Sequence, residues 1–378
     1  MCVLVSALLA ASGSASAQTA ADVPVFPLRV RWSIDLAGTP TAGPATDGMH
    51  VYVGLADGRV VAVHATSGQV TWVATEAPTR YSPVVDGGRV HLVEPDEVTT
   101  LDAATGAELW RVPLTSPASA PSVARGGWIV IATDDAEVLA LRADDGTVVW
   151  HRRYPNAVVA RAAINGDRLY LPGADSQVRA VNLVTGQPLW ERRIGGAVLS
   201  VSPLADRIYV GAKDNFFYCL DEASGRILWR WRTGGDMVGP AQVDERRVFF
   251  SNLDTLLRAL DRRNGAQRWR RPLPWRPQTG PILMGSTAIV SGLALDLRGF
   301  ATDTGLPVGE FTLSPDRLEV LVGVPQRIAR AVLPGDFLVM ALADGRVVAV
   351  EHAFGLQATP LTTLPGEPMA LTPPPPPG

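Results

Sequence analysis

The side chains best suited to catalysis are few and scattered. The five histidines, His50, His64, His91, His151 and His352, show none of the short spacings that bring two ligands to one metal ion. The two cysteines, Cys2 and Cys219, form neither a C-x-x-C pair nor a C-x-x-C-H haem site. A G-x-S-x-G elbow and a phosphate-cradling glycine loop are both missing from the chain. The acidic groups that do recur, Asp57, Asp135, Asp175, Asp214, Asp254 and Asp344, come at most once per forty-residue unit. Their carboxylates suit the capping of backbone N–H groups two residues on, so a tight turn accounts for them; one carboxylate per unit is too dispersed to hold Ca²⁺. No catalytic, cofactor-binding or metal-binding residue is therefore predicted.

The elements that carry these residues are set by a repeated phrase. Its clearest copies run Thr100-Leu101-Asp102-Ala103-Ala104-Thr105-Gly106-Ala107-Glu108-Leu109-Trp110 and Ala180-Val181-Asn182-Leu183-Val184-Thr185-Gly186-Gln187-Pro188-Leu189-Trp190. Its tryptophans are Trp32, Trp72, Trp110, Trp150, Trp190, Trp229 and Trp269, spaced 38 to 40 residues apart. The glycines four before them are Gly68, Gly106, Gly146, Gly186, Gly225 and Gly265, and the phase continues to Gly305 and Gly355. Gly309 and Thr359 then stand in the tryptophan place, so the last two of eight units are degenerate. A fixed period of this length marks a repeat architecture.

Within a unit the pattern is that of hairpins. Arg207-Ile208-Tyr209-Val210-Gly211, the turn Ala212-Lys213-Asp214-Asn215 and Phe216-Phe217-Tyr218-Cys219-Leu220 show β-branched and aromatic runs broken by turn residues, with no helical period. Four short strands per unit, repeated radially, predict an all-β, eight-bladed β-propeller of four-stranded antiparallel blades. The glycine supplies a left-handed turn before the outer strand, and the tryptophan is expected to fill the wedge between neighbouring blades. Trp32 has outer-strand phase but no inner strands before it, whereas the last unit has Phe337 to Leu342 and Arg346 to Glu351 but no tryptophan after them. The N-terminal strand is thus expected to complete the eighth blade, which removes an open sheet edge.

The expected divisions are a signal peptide over 1–17, a linker over 18–27, the propeller over 28–363 and a Pro-rich, disordered tail over 364–378. The first of these rests on the apolar run Val3 to Ala11 followed by Ala15-Ser16-Ala17, an A-x-A cleavage pattern that predicts an exported protein. Loss of that segment would leave Cys219 without a disulfide partner, at a position where other units carry Ala62, Ala140, Ala180 or Ala259. A buried structural thiol is the expectation there. The formal net charge of −3 excludes bulk attraction to nucleic acid, and no stretch of the propeller units is long and apolar enough to span a bilayer. A closed ring of this kind is expected to be a monomer.

The phrase A-x-[DN]-x-x-[TS]-G-x-x-x-W resembles the tryptophan-docking motif of the quinoprotein family of propellers, named for dehydrogenases that use pyrroloquinoline quinone (PQQ). The resemblance spans residues 28–352. In layout the chain is most similar to the BamB family of outer-membrane assembly factors, with Trp32-Ser33 in the first strand and Gly345 to Val350 in the last. That likeness implies a non-catalytic periplasmic scaffold whose partners are envelope proteins, among them the outer-membrane barrel assembly machinery. The alternative within the same superfamily is a PQQ- and Ca²⁺-dependent oxidoreductase. The chain lacks the adjacent cysteines often found in those enzymes, and no cofactor is expected.

Two groups of arginines are candidates for partner binding. Arg327 and Arg330 fall within Gly323–Asp336, read as a long loop between an inner strand near Leu318–Val322 and the strand beginning at Phe337. A long loop on a rigid ring suits binding, and it equally suits a cover over the closure seam. Arg192 and Arg193 belong to a belt with Arg152, Arg153, Arg230, Arg232, Arg270 and Arg271, all following a docking tryptophan. Charge at exposed edges blocks unwanted strand pairing, and the same arc would suit an acidic partner or an anionic membrane surface.

Overall fold

The computed structural model describes residues 25–75, 79–292, 296–313, 329–331 and 337–353. They form eight four-stranded antiparallel sheets, an eight-bladed propeller whose blades are numbered in chain order: blade 1 spans 45–74, blade 2 84–113, blade 3 123–153, blade 4 163–193, blade 5 198–232, blade 6 237–272 and blade 7 282–312, with blade 8 formed from both ends. Blade 5 is representative: Val198–Leu204 is innermost, followed outward by Arg207–Ala212, Phe216–Asp221 and Ile227–Arg232. Blade 8 joins the two ends of the chain. Ala329–Ala331, Phe337–Ala341 and Arg346–His352 are completed by Leu28–Asp35, which runs antiparallel to Arg346–His352 with Val30 opposite Val350 and Trp32 opposite Ala349.

The burial pattern explains the strand sequences. The two middle strands of a blade are sandwiched between neighbouring blades on both faces, so they are mostly apolar. His50–Gly54 and Phe337–Ala341 are buried along their whole length. The outer strand has one edge in solvent, and its exposure alternates, as in Glu108–Pro113 and Pro188–Arg193. Charged side chains also enter the third strand at Arg179 and Arg258, where they are buried and paired with Asp175 and Asp254.

The turn between the third and fourth strands repeats one backbone bond, from the glycine amide to the carbonyl four residues before it, and most copies add a side-chain cap; Arg142 and Ala301 stand in the cap place of the third and seventh units. In blade 4, Asn182 Oδ1 accepts from the Val184 and Thr185 amides and the Thr185 hydroxyl, and Gly186 follows with φ of 66°. Asp102 makes the corresponding bonds to Ala104 and Thr105. In blade 1, His64 replaces the carboxylate, and its Nδ1 lies 3.1 and 3.2 Å from the Thr66 and Ser67 hydroxyls. The recurring aspartates of the second-to-third strand turns also act as turn caps: Asp57, Asp175, Asp214, Asp254 and Asp344 each accept the amide two residues on.

One sequence expectation is corrected. The stretch Gly323–Asp336 is not a loop throughout, because Ala329–Ala331 is the innermost strand of blade 8, pairing Ala329 with Val339 and Arg330 with Leu338. The three-residue strand escapes notice because it is too short for an alternating pattern to stand out. The expected signal peptide and Pro-rich tail, and Gly355 and Thr359, lie outside the described residues. Among the described residues, no helix is long and apolar enough to cross a membrane.

Candidate functional site

The tryptophans seal the blade junctions. Each lies opposite a small residue on its own third strand: Trp72 opposite Ala62, Trp110 opposite Thr100, Trp190 opposite Ala180, Trp229 opposite Cys219 and Trp269 opposite Ala259. Each indole Nε1 donates across the junction to a carbonyl of the next blade. Trp32 donates to Ala65, Trp72 to Ala103, Trp110 to Ala143, Trp150 to Leu183, Trp190 to Glu222, Trp229 to Arg262 and Trp269 to Thr302, at 2.7 to 3.2 Å. The face of each ring covers the turn glycine of the next blade. A Cβ on Gly186 would come 2.7 Å from the Trp150 ring, and one on Gly305 2.6 Å from Trp269. The glycine is therefore required twice, by its positive φ and by the indole above it.

These seven contacts close seven of eight junctions, and the eighth is closed differently. In blade 7, Gly299 lies opposite Gly309, so neither the docking tryptophan nor the small residue's side chain is present. Phe26 fills the space: a Cβ on Gly309 would come 2.5 Å from it, and Gly299 is covered by the same ring. Phe26 is buried with Val25, Leu28, Leu297, Met340 and Val350, and Ala353 donates its amide to the Pro27 carbonyl at 2.8 Å. Sequence reasoning assigned residues 25–27 to a linker; an aromatic residue two positions before the closing strand was the available signal.

Two titratable groups are buried at the blade junctions. Cys219 is fully buried, and burial pushes its thiol up to about 11. His91 is buried beside Trp110, with Nδ1 2.8 Å from the Thr100 hydroxyl, and burial pushes its pKa down to about 4. Among the described residues, no group of three His, Cys, Asp or Glu side chains is placed to hold a metal ion.

The exposed ends differ in chemistry. On one end, second-to-third strand turns are tied to the connection preceding their own blade, as in Ala56 N to Thr39 O, Asp134 N to Pro117 O and Lys213 N to Ala197 O. Arginine–aspartate pairs recur there: Arg59 with Asp57, Arg179 with Asp175, Arg258 with Asp254 and Arg346 with Asp344. On the opposite end a crevice of about 520 Å³ is lined by Glu245, Arg246, Arg247, Asp261, Arg263, Arg268 and Asp303.

The arginine belt divides by partner. Arg192 Nε donates to the Gly225 carbonyl at 2.7 Å, and Arg271 donates to the Gly305 and Thr304 carbonyls at 2.7 and 2.8 Å. Both are braces between blades. Arg193 points outward and is exposed. Arg330 is placed only through its backbone in the innermost strand, and Arg327 lies outside the described residues. Arg192 and Arg193 thus part on the outer strand, one held by the next blade and one in solvent, while the side chains of Arg327 and Arg330 lie outside the described residues.

Comparison with known proteins agrees with this architecture. The family profile described as outer membrane protein assembly factor BamB matches residues 29–100, 95–205 and 195–370. Among solved structures, BamB from Moraxella catarrhalis superposes with a TM-score of 0.70 at 19% identity, covering 86% of this chain and 100% of that one. A quinohemoprotein alcohol dehydrogenase, ADHIIG from Pseudomonas putida HK5, gives 0.69 at 13% identity, covering 91% of this chain and 79% of the enzyme. A computationally designed protein, Ika8, gives 0.70 at 15% identity over 84% of this chain and 98% of its own. At such identities these structures establish the fold alone. No curated protein sequence matches the chain.

Proposed function

The chain belongs to the family of outer membrane protein assembly factor BamB, and from that premise we propose that it is an exported, non-catalytic scaffold serving outer-membrane β-barrel assembly. The observation that carries this reading is the family match, which runs from the closing strand at residue 29 to residue 370. The ring supports it physically. Side chains of the middle strands are consumed in inter-blade packing, so what remains for function is the loops at the two ends and the outer wall, surfaces suited to proteins rather than to a small substrate.

The proposed partners are envelope proteins, with the barrel insertion machinery foremost, and the proposed location is the periplasm. In-cell cross-linking of the tagged chain, followed by mass spectrometry of the purified complexes, tests this. Enrichment of an outer-membrane barrel insertion subunit supports the scaffold; recovery of other proteins without it overturns the assembly role.

The fold likeness to quinohemoprotein dehydrogenases supplies the competing reading, a PQQ-dependent oxidoreductase. Against it stands the sequence, which has no pair of adjacent cysteines. A titration of the purified protein with PQQ and Ca²⁺ should show no saturable binding. Saturable, Ca²⁺-dependent binding would move the ring to the enzyme branch.

A further inference from the structure

The outer wall is electrically uneven in a way that edge protection does not explain. Between Trp190 and Arg276 there are sixteen Lys and Arg against ten Asp and Glu, whereas the rest of the chain holds eighteen against twenty-seven. The whole chain is acidic, yet blades 5 and 6, with the outer strand of blade 4, form a basic sector.

The structure shows why the charge there stays available. In blades 8, 2 and 3 the outer-strand arginines have carboxylates on the adjacent third strand. Glu351 receives Arg29 and Arg31, Glu97 receives Arg111, and Glu137 receives Arg153. The first residue of that third strand is Glu97 in blade 2 and Glu137 in blade 3. In blades 4, 5 and 6 the same place holds Gln177, Phe216 and Leu256. Gln177 lies opposite Arg193, and Phe216 opposite Arg232. The remaining edge carboxylate of blade 4, Glu191, faces Arg179 at 3.4 Å. Among the described residues, Arg193, Arg230, Arg232 and Arg270 consequently have no carboxylate partner, and Arg230 instead lies over the Phe216 ring at 4.8 Å. The arginines persist from blade to blade while their counter-charges are lost over three consecutive blades.

We propose that this sector, centred on Arg193, Arg230, Arg232 and Arg270, docks the propeller sideways onto an anionic phospholipid surface. Unpaired guanidinium groups bind phosphate oxygens in a planar, two-pronged geometry. Between them the wall exposes Leu189 and Ile227 and leaves Trp231 half-buried, the mixture of basic, aliphatic and indole groups that sits at a headgroup boundary. Arg192 and Arg271 are not part of the surface, because their guanidinium groups are held by the next blade. The choice of a lipid surface over a soluble acidic protein rests on the envelope location proposed above.

The test is co-sedimentation of the full chain with phosphatidylethanolamine vesicles, with and without phosphatidylglycerol, at low and high NaCl. Binding is expected only with phosphatidylglycerol and only at low salt. At about 1 kcal/mol per basic residue near the surface, the triple change Arg193→Ser, Arg232→Ser and Arg270→Ser lowers partitioning on the order of a hundredfold. The matched triple Arg29→Ser, Arg111→Ser and Arg153→Ser, at neutralised positions, lowers it by about threefold or less on the same scale. Equal losses from the two triples, or equal binding to both vesicle types, overturns the proposal. Binding to soluble polyglutamate without binding to vesicles also overturns it and assigns the sector to an acidic protein. The assay uses purified chain and lipid, so its outcome is independent of which protein partners are captured from cells.

Discussion

Seven junctions of this ring and the eighth solve one packing problem with groups of different origin. At the seven, a tryptophan reaches the next unit along the chain, accepting carbonyl and covered glycine both lying within the following repeat. Between blades 7 and 8, Phe26 covers Gly299 and Gly309 from the other end of the polypeptide. The seven are local and can form as each repeat is completed, whereas the eighth waits until the chain ends meet. Closure of a propeller is thus a separate physical event from the folding of its blades, and here it depends on one aromatic residue and the strand that follows it.

The largest expected effect is at a tryptophan junction. Trp269 is almost fully buried and bonded to Thr302, so Trp269→Ala should cost about 3–5 kcal/mol, measured as a shift in the urea midpoint. A melt indistinguishable from wild type would remove the docking role. Next, Phe26→Ala should cost about 3 kcal/mol. Its effect should be local: amide exchange should accelerate in Arg346–His352 and Pro307–Thr312 while blades 3 to 5 stay protected. Uniform acceleration around the ring would show that the seam is no weaker than the other junctions.

A third prediction separates one tryptophan junction from its neighbours. The ring packed at a tilt beside the indole is Tyr52, Tyr170, Tyr209 or Phe249 in four blades and His91 in blade 2. Burial holds the folded His91 near 4, below its ordinary value, so protonation favours the unfolded chain. Stability should be fully present above pH 6.5 and decline as pH falls toward 4, by about 3 kcal/mol from this group. His91→Phe should remove that share of the acid sensitivity, seen as a smaller difference between urea midpoints at pH 7 and pH 4.5; an unchanged difference would place the sensitivity elsewhere.

The smallest effect belongs to Cys219. It occupies the place of Ala62, Ala180 and Ala259 opposite the tryptophan, so Cys219→Ala should change stability by about 1 kcal/mol or less. A disulfide reagent should leave the native thiol unmodified until urea unfolds the ring, since burial keeps it protonated. Rapid labelling of the native protein would contradict that packing.

The amino-acid sequence by itself determined the period, the strand count of each blade, the turn chemistry and the closure by Leu28–Asp35. Those properties are written in residues a few positions apart: apolar runs, an Asp or Asn cap, a glycine and a tryptophan at fixed spacing. Tertiary structure alone decided which carbonyl each indole meets, that Phe26 serves where Gly309 cannot, and that Arg330 sits in a strand. It also separated Arg192, spent on the Gly225 carbonyl, from its neighbour Arg193, which faces solvent. Adjacent residues on a strand point to opposite sides, and whether a charge is neutralised depends on cross-strand register and on neighbours tens to hundreds of residues away. A linear pattern carries the periodicity of such contacts but not their partners.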